Sequence, residues 1–230
     1  MGKKRVELVM MLLVLIAAFF ASKRAVSLAS SGMGEAKTIV IDVGHGGIDP
    51  GKVGIGGVLE KDLNLQIGKQ LKTQLENAGF RVVMTRDSDV GLYEEGTSNK
   101  KAQDMQNRCK MIEEAKPVCT VSIHQNSYAD PAVCGPQVFY YTHSQEAEHL
   151  ATILQNCINE DLAIEKPRIQ KENSTYYILK RSTSVTAIVE CGFITNPVEA
   201  KLLADEIYQE KMAKAICRGI NMDVNGEKQV

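Results

Sequence analysis

With 230 residues, 44% hydrophobic and 24% charged, the chain has the composition of a globular protein with interior enough for one ordinary core. Its formal net charge of −1 gives no field that would draw nucleic acid or an anionic surface, so recognition has to come from a local site. No Trp is present, and the chain carries no internal repeat or low-complexity tract.

The N-terminal part, residues 1–36, stands apart. Lys3, Lys4 and Arg5 precede an uncharged apolar run of 14 residues, Leu8 to Ala21. Ser22, Lys23, Arg24 and a stretch of small residues follow. This is the pattern of a secretory signal, with Ser27-Leu28-Ala29 as a cleavage site. The run is short for a spanning helix, which needs about 20 apolar residues. The alternative is an uncleaved anchor whose Lys23 and Arg24 snorkel to the interface. Either reading exports the domain and confines membrane contact to this segment. No Cys follows the run, which argues against an acylated lipoprotein. Of the six cysteines, five lie in strand-like or helix-like apolar runs and are expected to be free buried thiols.

From Lys37 onward strands and helices alternate. Thr38 to Val43 is a near-continuous apolar run, as in a strand covered on both faces. A glycine-rich loop, Gly44 to Gly57, leads to a helix starting near Glu60, where Leu63, Ile67, Leu71 and Leu75 form one stripe. Gly79 ends it. Phe80 to Thr85 is a second strand, Lys101 to Ala115 a helix, Val118 to Ile123 a third strand that ends at His124. Gln137 to Tyr141 is a fourth strand and Glu146 to Asp161 a helix. Tyr176 to Leu179 reads as a short strand, and Thr186 to Glu190 as the last. Asn196-Pro197-Val198-Glu199 opens a C-terminal helical region, with Asn as cap and Pro in the first turn. The catalytic domain is taken as 37–221, and 222–230 as a frayed polar tail. The pattern predicts a single α/β domain: a mostly parallel (mixed) central sheet flanked by helices on both faces, with ligands at the carboxyl ends of the strands.

Four residues fall at that edge. His45 lies among glycines, with Asp42 or Asp49 placed to hold its second ring nitrogen. Glu60 opens a helix, and His124 sits where a strand meets a loop. Two histidines and a carboxylate are the side chains of a catalytic zinc site, which leaves one position open. Glu190 closes a buried apolar run, where a carboxylate is costly unless paired or functional. Taken singly, three of the four have ordinary explanations: a loop histidine, a helix-start acid, a hydrogen-bonded imidazole. Together they point to a hydrolase in which a metal activates water and Glu190 moves its proton. His143 and His149 are expected to be ordinary polar residues. Tyr176 and Tyr177 are expected to pack in the core with hydroxyls reaching solvent, rather than to line a groove.

These motifs, in this order, resemble the zinc-dependent N-acetylmuramoyl-L-alanine amidases of bacterial cell walls, the amidase-3 group. The matching stretches are Ile41 to Gly51, the Glu60 helix start, Met84 to Asp87, Arg108, Ser122 to Asn126, and Val189 to Pro197. The resemblance spans about Lys37 to Gly219. It implies one zinc ion on His45, Glu60 and His124, with Glu190 as catalytic carboxylate. Arg108, Asn126 and Asp42 are weaker candidates for orienting substrate or the ligands. The implied reaction cuts the amide between the lactyl group of N-acetylmuramic acid and L-alanine of the stem peptide.

Asp87 to Lys101 looks like the sporulation- and germination-type members found in spore-forming Firmicutes, which act in forming muramic-δ-lactam of the spore cortex. The absence of a wall-binding module fits that type, and His124 to Lys171 is too short for the long autoinhibitory helix of some division amidases. Localisation follows as the cell wall or the intermembrane space of the forespore, with peptidoglycan as substrate and an exported activating or targeting protein as a possible partner. Val185-Thr186 stands where many relatives have Pro-Ala, a departure expected to alter the floor of the site. Rival readings are a zinc carboxypeptidase or endopeptidase on wall peptides, and a non-catalytic wall-binding scaffold.

Overall fold

The computed structural model describes Gly2 and residues 36–226. The expected signal or anchor and the last residues of the tail, Glu227 to Val230, lie outside the described residues. No helix among the described residues is long and apolar enough to cross a membrane.

Six strands form one sheet: β1 (Thr38–Val43), β2 (Arg81–Met84), β3 (Cys119–Asn126), β4 (Gln137–Tyr141), β5 (Lys171–Asn173) and β6 (Thr186–Phe193). Their order is β2-β1-β3-β6-β4-β5. The four strands from β2 to β6 run parallel, and β4 turns against β6 and carries β5 alongside it. Among the described residues the α-helices are α1 (Glu60–Asn77), α2 (Lys100–Ala115), α3 (Gln145–Asp161), α4 (Tyr177–Arg181), α5 (Pro197–Leu203) and α6 (Glu206–Asn225). This is the expected mixed, mostly parallel α/β architecture.

Side chains alternate across a strand, so a strand covered on both faces feeds two cores. Ile39, Ile41 and Val43 of β1 join Val121, Ile123, Val189 and Cys191 under α1, α3 and α6. Val40 and Ile188 face the other way and pack with Ile112 of α2 and Ile178 and Leu179 of α4. Asp42, Ser122, His124 and Glu190 share the parity of this second face. The smaller helix layer leaves the carboxyl ends of the strands open there.

Local chemistry explains most boundaries. Asn196 caps α5 by accepting from the amides of Val198 and Glu199, as expected from Asn-Pro. Asp205 and Ser144 cap α6 and α3 in the same way. All six cysteines are free thiols. The stretch from His124 to Lys171 is largely used by β4 and α3 of the fold itself.

Several expectations are corrected. β3 and β6 run beyond His124 and Glu190, to Asn126 and Phe193, because the strand ends pair with each other around a register shift at His124 and Asn126. Tyr177–Arg181 is a helical turn, not a strand. The edge strand β5 is polar and three residues long, with no apolar period to announce it. Helix α6 continues to Asn225, since Met222 is buried and Gly226 closes the end at φ 71°. Val185 and Thr186 lie at the amino end of β6, away from the cavity described below, so that departure does not shape the floor of the site.

Gly219 of α6 faces Leu154 of α3; a Cβ there would stand 2.9 Å from Leu154 Cδ2 and 3.2 Å from its Cα. Gly219→Leu is expected to cost about 1–3 kcal/mol by overpacking this contact, read as a lower urea midpoint at unchanged slope.

Candidate metal centre

Glu60 is the first residue of α1, whose N-terminus favours negative charge. Its carboxylate is buried at 4% exposure. Oε2 accepts the Lys52 amide at 2.8 Å, and Oε1 accepts the Gln125 amide at 3.1 Å. Two imidazoles close on the same Oε1: His124 Nδ1 at 3.0 Å and His45 Nε2 at 3.2 Å. One ligand atom from each of His45, Glu60 and His124 lies within 4.8 Å of the others. Asp49 Oδ2 sits 2.9 Å from His45 Nδ1, which leaves Nε2 turned to the shared point. Of the two carboxylates considered for this task, Asp49 performs it and Asp42 does not.

Two glycines make room. A Cβ on Gly44 would fall 2.3 Å from Cε1 of the His124 ring. Gly51 has φ 66°, and a Cβ there would fall 2.6 Å from Glu60 Oε2 and 2.7 Å from His45 Cδ2. His45 itself takes φ 61°, a left-handed conformation that costs a non-glycine residue roughly 1–2 kcal/mol.

Glu190 pairs with His124 across β3 and β6. It is 8% exposed, and its Oε2 is a buried oxygen without a hydrogen-bond partner. Burial pushes its carboxyl up to about 7; the His124 charge opposes that shift and the Glu60 charge adds to it. Burial would raise Glu60 as well, but the hydrogen bonds and charges of the two imidazoles hold it well below the usual carboxylate range. For His124, burial lowers the pKa and the Glu60 contact outweighs it, leaving a net rise. Neighbouring carboxylates with shifts of opposite sign are the signature of divided roles.

A cavity of about 470 Å³ opens over the four residues. Lys101, Met105 and Arg108 of α2 form one wall, and Tyr176, Tyr177 and Ile178 the other. The tyrosines are therefore groove residues, 38% and 42% exposed, not core ones. Asn126 also lines the cavity, its Oδ1 accepting the Ser127 amide. His143 stacks edge-on to Tyr141 and His149 lies 3.9 Å from Asp223, both outside the site.

A comparison with family models matches residues 39–222 to N-acetylmuramoyl-L-alanine amidase. The chain belongs to that family. It is 38% identical over 187 residues to the germination-specific N-acetylmuramoyl-L-alanine amidase of Bacillus subtilis (strain 168), covering 80% of this chain and 78% of the relative. Among solved structures it is similar to the CwlD amidase of Clostridioides difficile in complex with the GerS lipoprotein, with TM-score 0.80 and 36% identity over 83% of this chain and all of that one. The amidase AmiC2 of Nostoc punctiforme superimposes with TM-score 0.74 at 34% identity, covering 84% and 99%.

In this amidase Asp42 and Arg108 both line the cavity and bond to each other. Asp42 accepts Thr85 Oγ1 at 3.0 Å, Arg108 Nη1 at 2.9 Å and Ser122 Oγ at 2.6 Å. Arg108 continues to the carbonyls of Val43 (2.5 Å) and His45 (2.7 Å) and to Asp104 Oδ2 (2.5 Å). Arg86 and Gln125 fall in stretches that carry the family resemblance, but the sequence assigns no role to either of them or to Asn64. Arg86 donates to Val43 O, Gly44 O and Lys61 O, and Asn64 to Gly44 O. Gln125 in turn donates to Asn64. The available signal is an arginine two residues past the end of β2 and polar residues inside apolar segments.

The Glu190 shift has a stability consequence in chelator-treated protein. Between its ordinary value of 4.5 and about 7, the folded chain holds a proton that the unfolded chain releases. Stability is therefore fully present below that window and falls as pH rises through it, by roughly 3 kcal/mol. Glu190→Gln has no such proton, so urea unfolding from pH 4.5 to 8 is expected to show the variant gaining on wild type as pH rises; parallel curves would contradict the assignment.

Proposed function

We propose that this amidase holds one zinc ion on His45, Glu60 and His124 and uses Glu190 to move protons in cutting the lactyl–L-alanine amide of peptidoglycan. The observation that carries the reading is the unpartnered, buried Oε2 of Glu190 beside three converging ligand atoms. Two imidazoles and a carboxylate, open on the cavity side, suit a catalytic zinc rather than a closed structural one. Bound there, the metal supplies Lewis acidity at the scissile carbonyl and makes water nucleophilic near neutral pH. Glu190 takes the proton from the attacking water and gives it to the leaving nitrogen of L-alanine, a task suited to a carboxyl poised near 7. The Tyr176–Tyr177 wall and the α2 wall orient the glycan and the peptide, and Asp49 keeps the His45 ring turned inward.

The cellular setting in this proposal is export by the N-terminal segment, with cleavage at Ser27–Ala29 or retention as an anchor. The enzyme then acts on spore cortex, in muramic-δ-lactam formation needed for germination. Support comes from the likeness to the germination-specific amidase of B. subtilis. The C. difficile relative is seen with a lipoprotein, which favours an exported protein partner here too.

Glu190→Gln is expected to retain stoichiometric zinc while turnover on denuded peptidoglycan falls 10²–10⁴-fold. Mass spectrometry of the wild-type digest should show a new L-alanine amine with an intact stem peptide; release of a terminal amino acid would instead assign a carboxypeptidase.

Gly44→Ala should push the His124 ring off Glu60 and weaken zinc binding about 10–100-fold in chelator competition. Gly96→Ala, whose Cβ meets nothing within 4 Å, should bind zinc as wild type does.

A further inference from the structure

Three consecutive carbonyls, those of Val43, Gly44 and His45, accept hydrogen bonds from a pair of buried guanidinium groups. Val43 O accepts Arg86 Nε at 3.2 Å and Arg108 Nη1 at 2.5 Å. Gly44 O accepts Arg86 Nη2 at 3.0 Å and Asn64 Nδ2 at 3.1 Å. His45 O accepts Arg108 Nη2 at 2.7 Å. Arg86 Nη2 also donates to Lys61 O at 2.7 Å, and Nη1 to Ser88 O at 3.1 Å. A single side chain, 3% exposed, thus ties the residues that precede His45 to the residue that follows Glu60.

The arrangement is costly. Arg86 and Arg108 are both buried, and the charge of Arg108, after burial itself, works against that of Arg86. Arg108 has Asp42 and Asp104 as close partners, whereas every hydrogen bond of Arg86 goes to a backbone carbonyl. A buried cation that spends its donors on carbonyls fixes a backbone path rather than neutralising a carboxylate. The path it fixes is a strained one, with His45 at φ 61°, Gly46 at φ 133° and Gly47 at φ 57°. Without bonds on its carbonyls, that turn would relax and carry the His45 imidazole off Glu60.

We infer that Arg86 is a positioning residue that preorganises the metal centre: it holds the His45 turn and the start of α1 in register before metal arrives, with Arg108 securing the same turn from the other side. The inference rests on the reading of His45, Glu60 and His124 as metal ligands. Arg86 does not line the cavity, its hydrogen bonds all go to backbone carbonyls, and it acts through the backbone.

Lysine keeps the charge but has one nitrogen in place of the fork, so it cannot reach Val43, Gly44 and Lys61 together. Arg86→Lys is expected to bind zinc ten- to a hundredfold more weakly in chelator competition, the range seen when residues that support metal ligands are changed. Zinc affinity within tenfold of wild type would overturn the inference. Hydrogen exchange on the unaltered protein tests it without a variant. The amides of Gly44 and Gly46, bonded to Ile123 O and Asp49 O, should be protected in zinc-free protein to within tenfold of their zinc-bound rates. A larger gain in protection on adding zinc would show a turn that folds around the metal, and would refute preorganisation even if Arg86→Lys fails to fold. A wild-type chain that binds no zinc removes the metal reading itself, and the inference with it. A wild type that binds zinc beside a variant that binds it equally well removes the inference alone.

Discussion

The site depends on how Glu60 is held. Its two oxygens collect two backbone amides and two imidazole nitrogens, drawn from the glycine-rich loop, which supplies both the Lys52 amide and His45, and from the end of β3. The loop, the end of β3 and the start of the helix that carries Glu60 therefore meet at one carboxylate. A buried carboxylate with that many donors is strongly favoured in its charged form, and loss of any one donor segment leaves the charge exposed to desolvation cost. The open sheet brings the segments to one edge, and Glu60 fixes their final spacing.

Around that carboxylate the chain trades side-chain bulk for proximity. Gly44 and Gly51 are pressed against the His124 ring and the Glu60–His45 pair, so neither tolerates a Cβ in place. The backbone that results is irregular, and irregular backbone needs partners for its carbonyls. Arg86, Arg108 and Asn64 supply them. The expense of burying two guanidiniums thus follows from placing a histidine at the end of a strand in a left-handed turn.

Periodicity made the architecture legible. The runs of β1, β3 and β6 and the four-residue spacing of α1 require no tertiary knowledge, and the topological rule for parallel sheets places their carboxyl ends together. What the sequence hides is whatever lacks a period or depends on distant partners. The polar edge strand β5 and the single turn of α4 have no apolar rhythm. The extra length of β3 and β6 comes from their pairing with each other. Asp49 and Asp42 were equivalent candidates for His45 because both lie within four residues of it; only the turn geometry sends Asp49 to the ring and Asp42 to Arg108. The sequence assigns Arg86 and Asn64 no role, since they bond mainly to backbone carbonyls, which leave no trace in side-chain pattern.

Glu190 shows why the site and the fold are one problem. Residues 186–193 are buried throughout β6, and every neighbour of Glu190 in that strand is small or apolar. Stability alone would favour an uncharged side chain at this position, because a carboxylate there gives up water for one unpartnered oxygen and a raised pKa. The same environment is what lets the group exchange a proton near neutral pH. Moving Glu190 two residues along the strand would keep its facing, but it would separate it from His124, its register partner. Its placement opposite His124 therefore satisfies a chemical requirement that packing opposes, and the stability it forgoes is recovered in the close-packed faces on either side of the sheet.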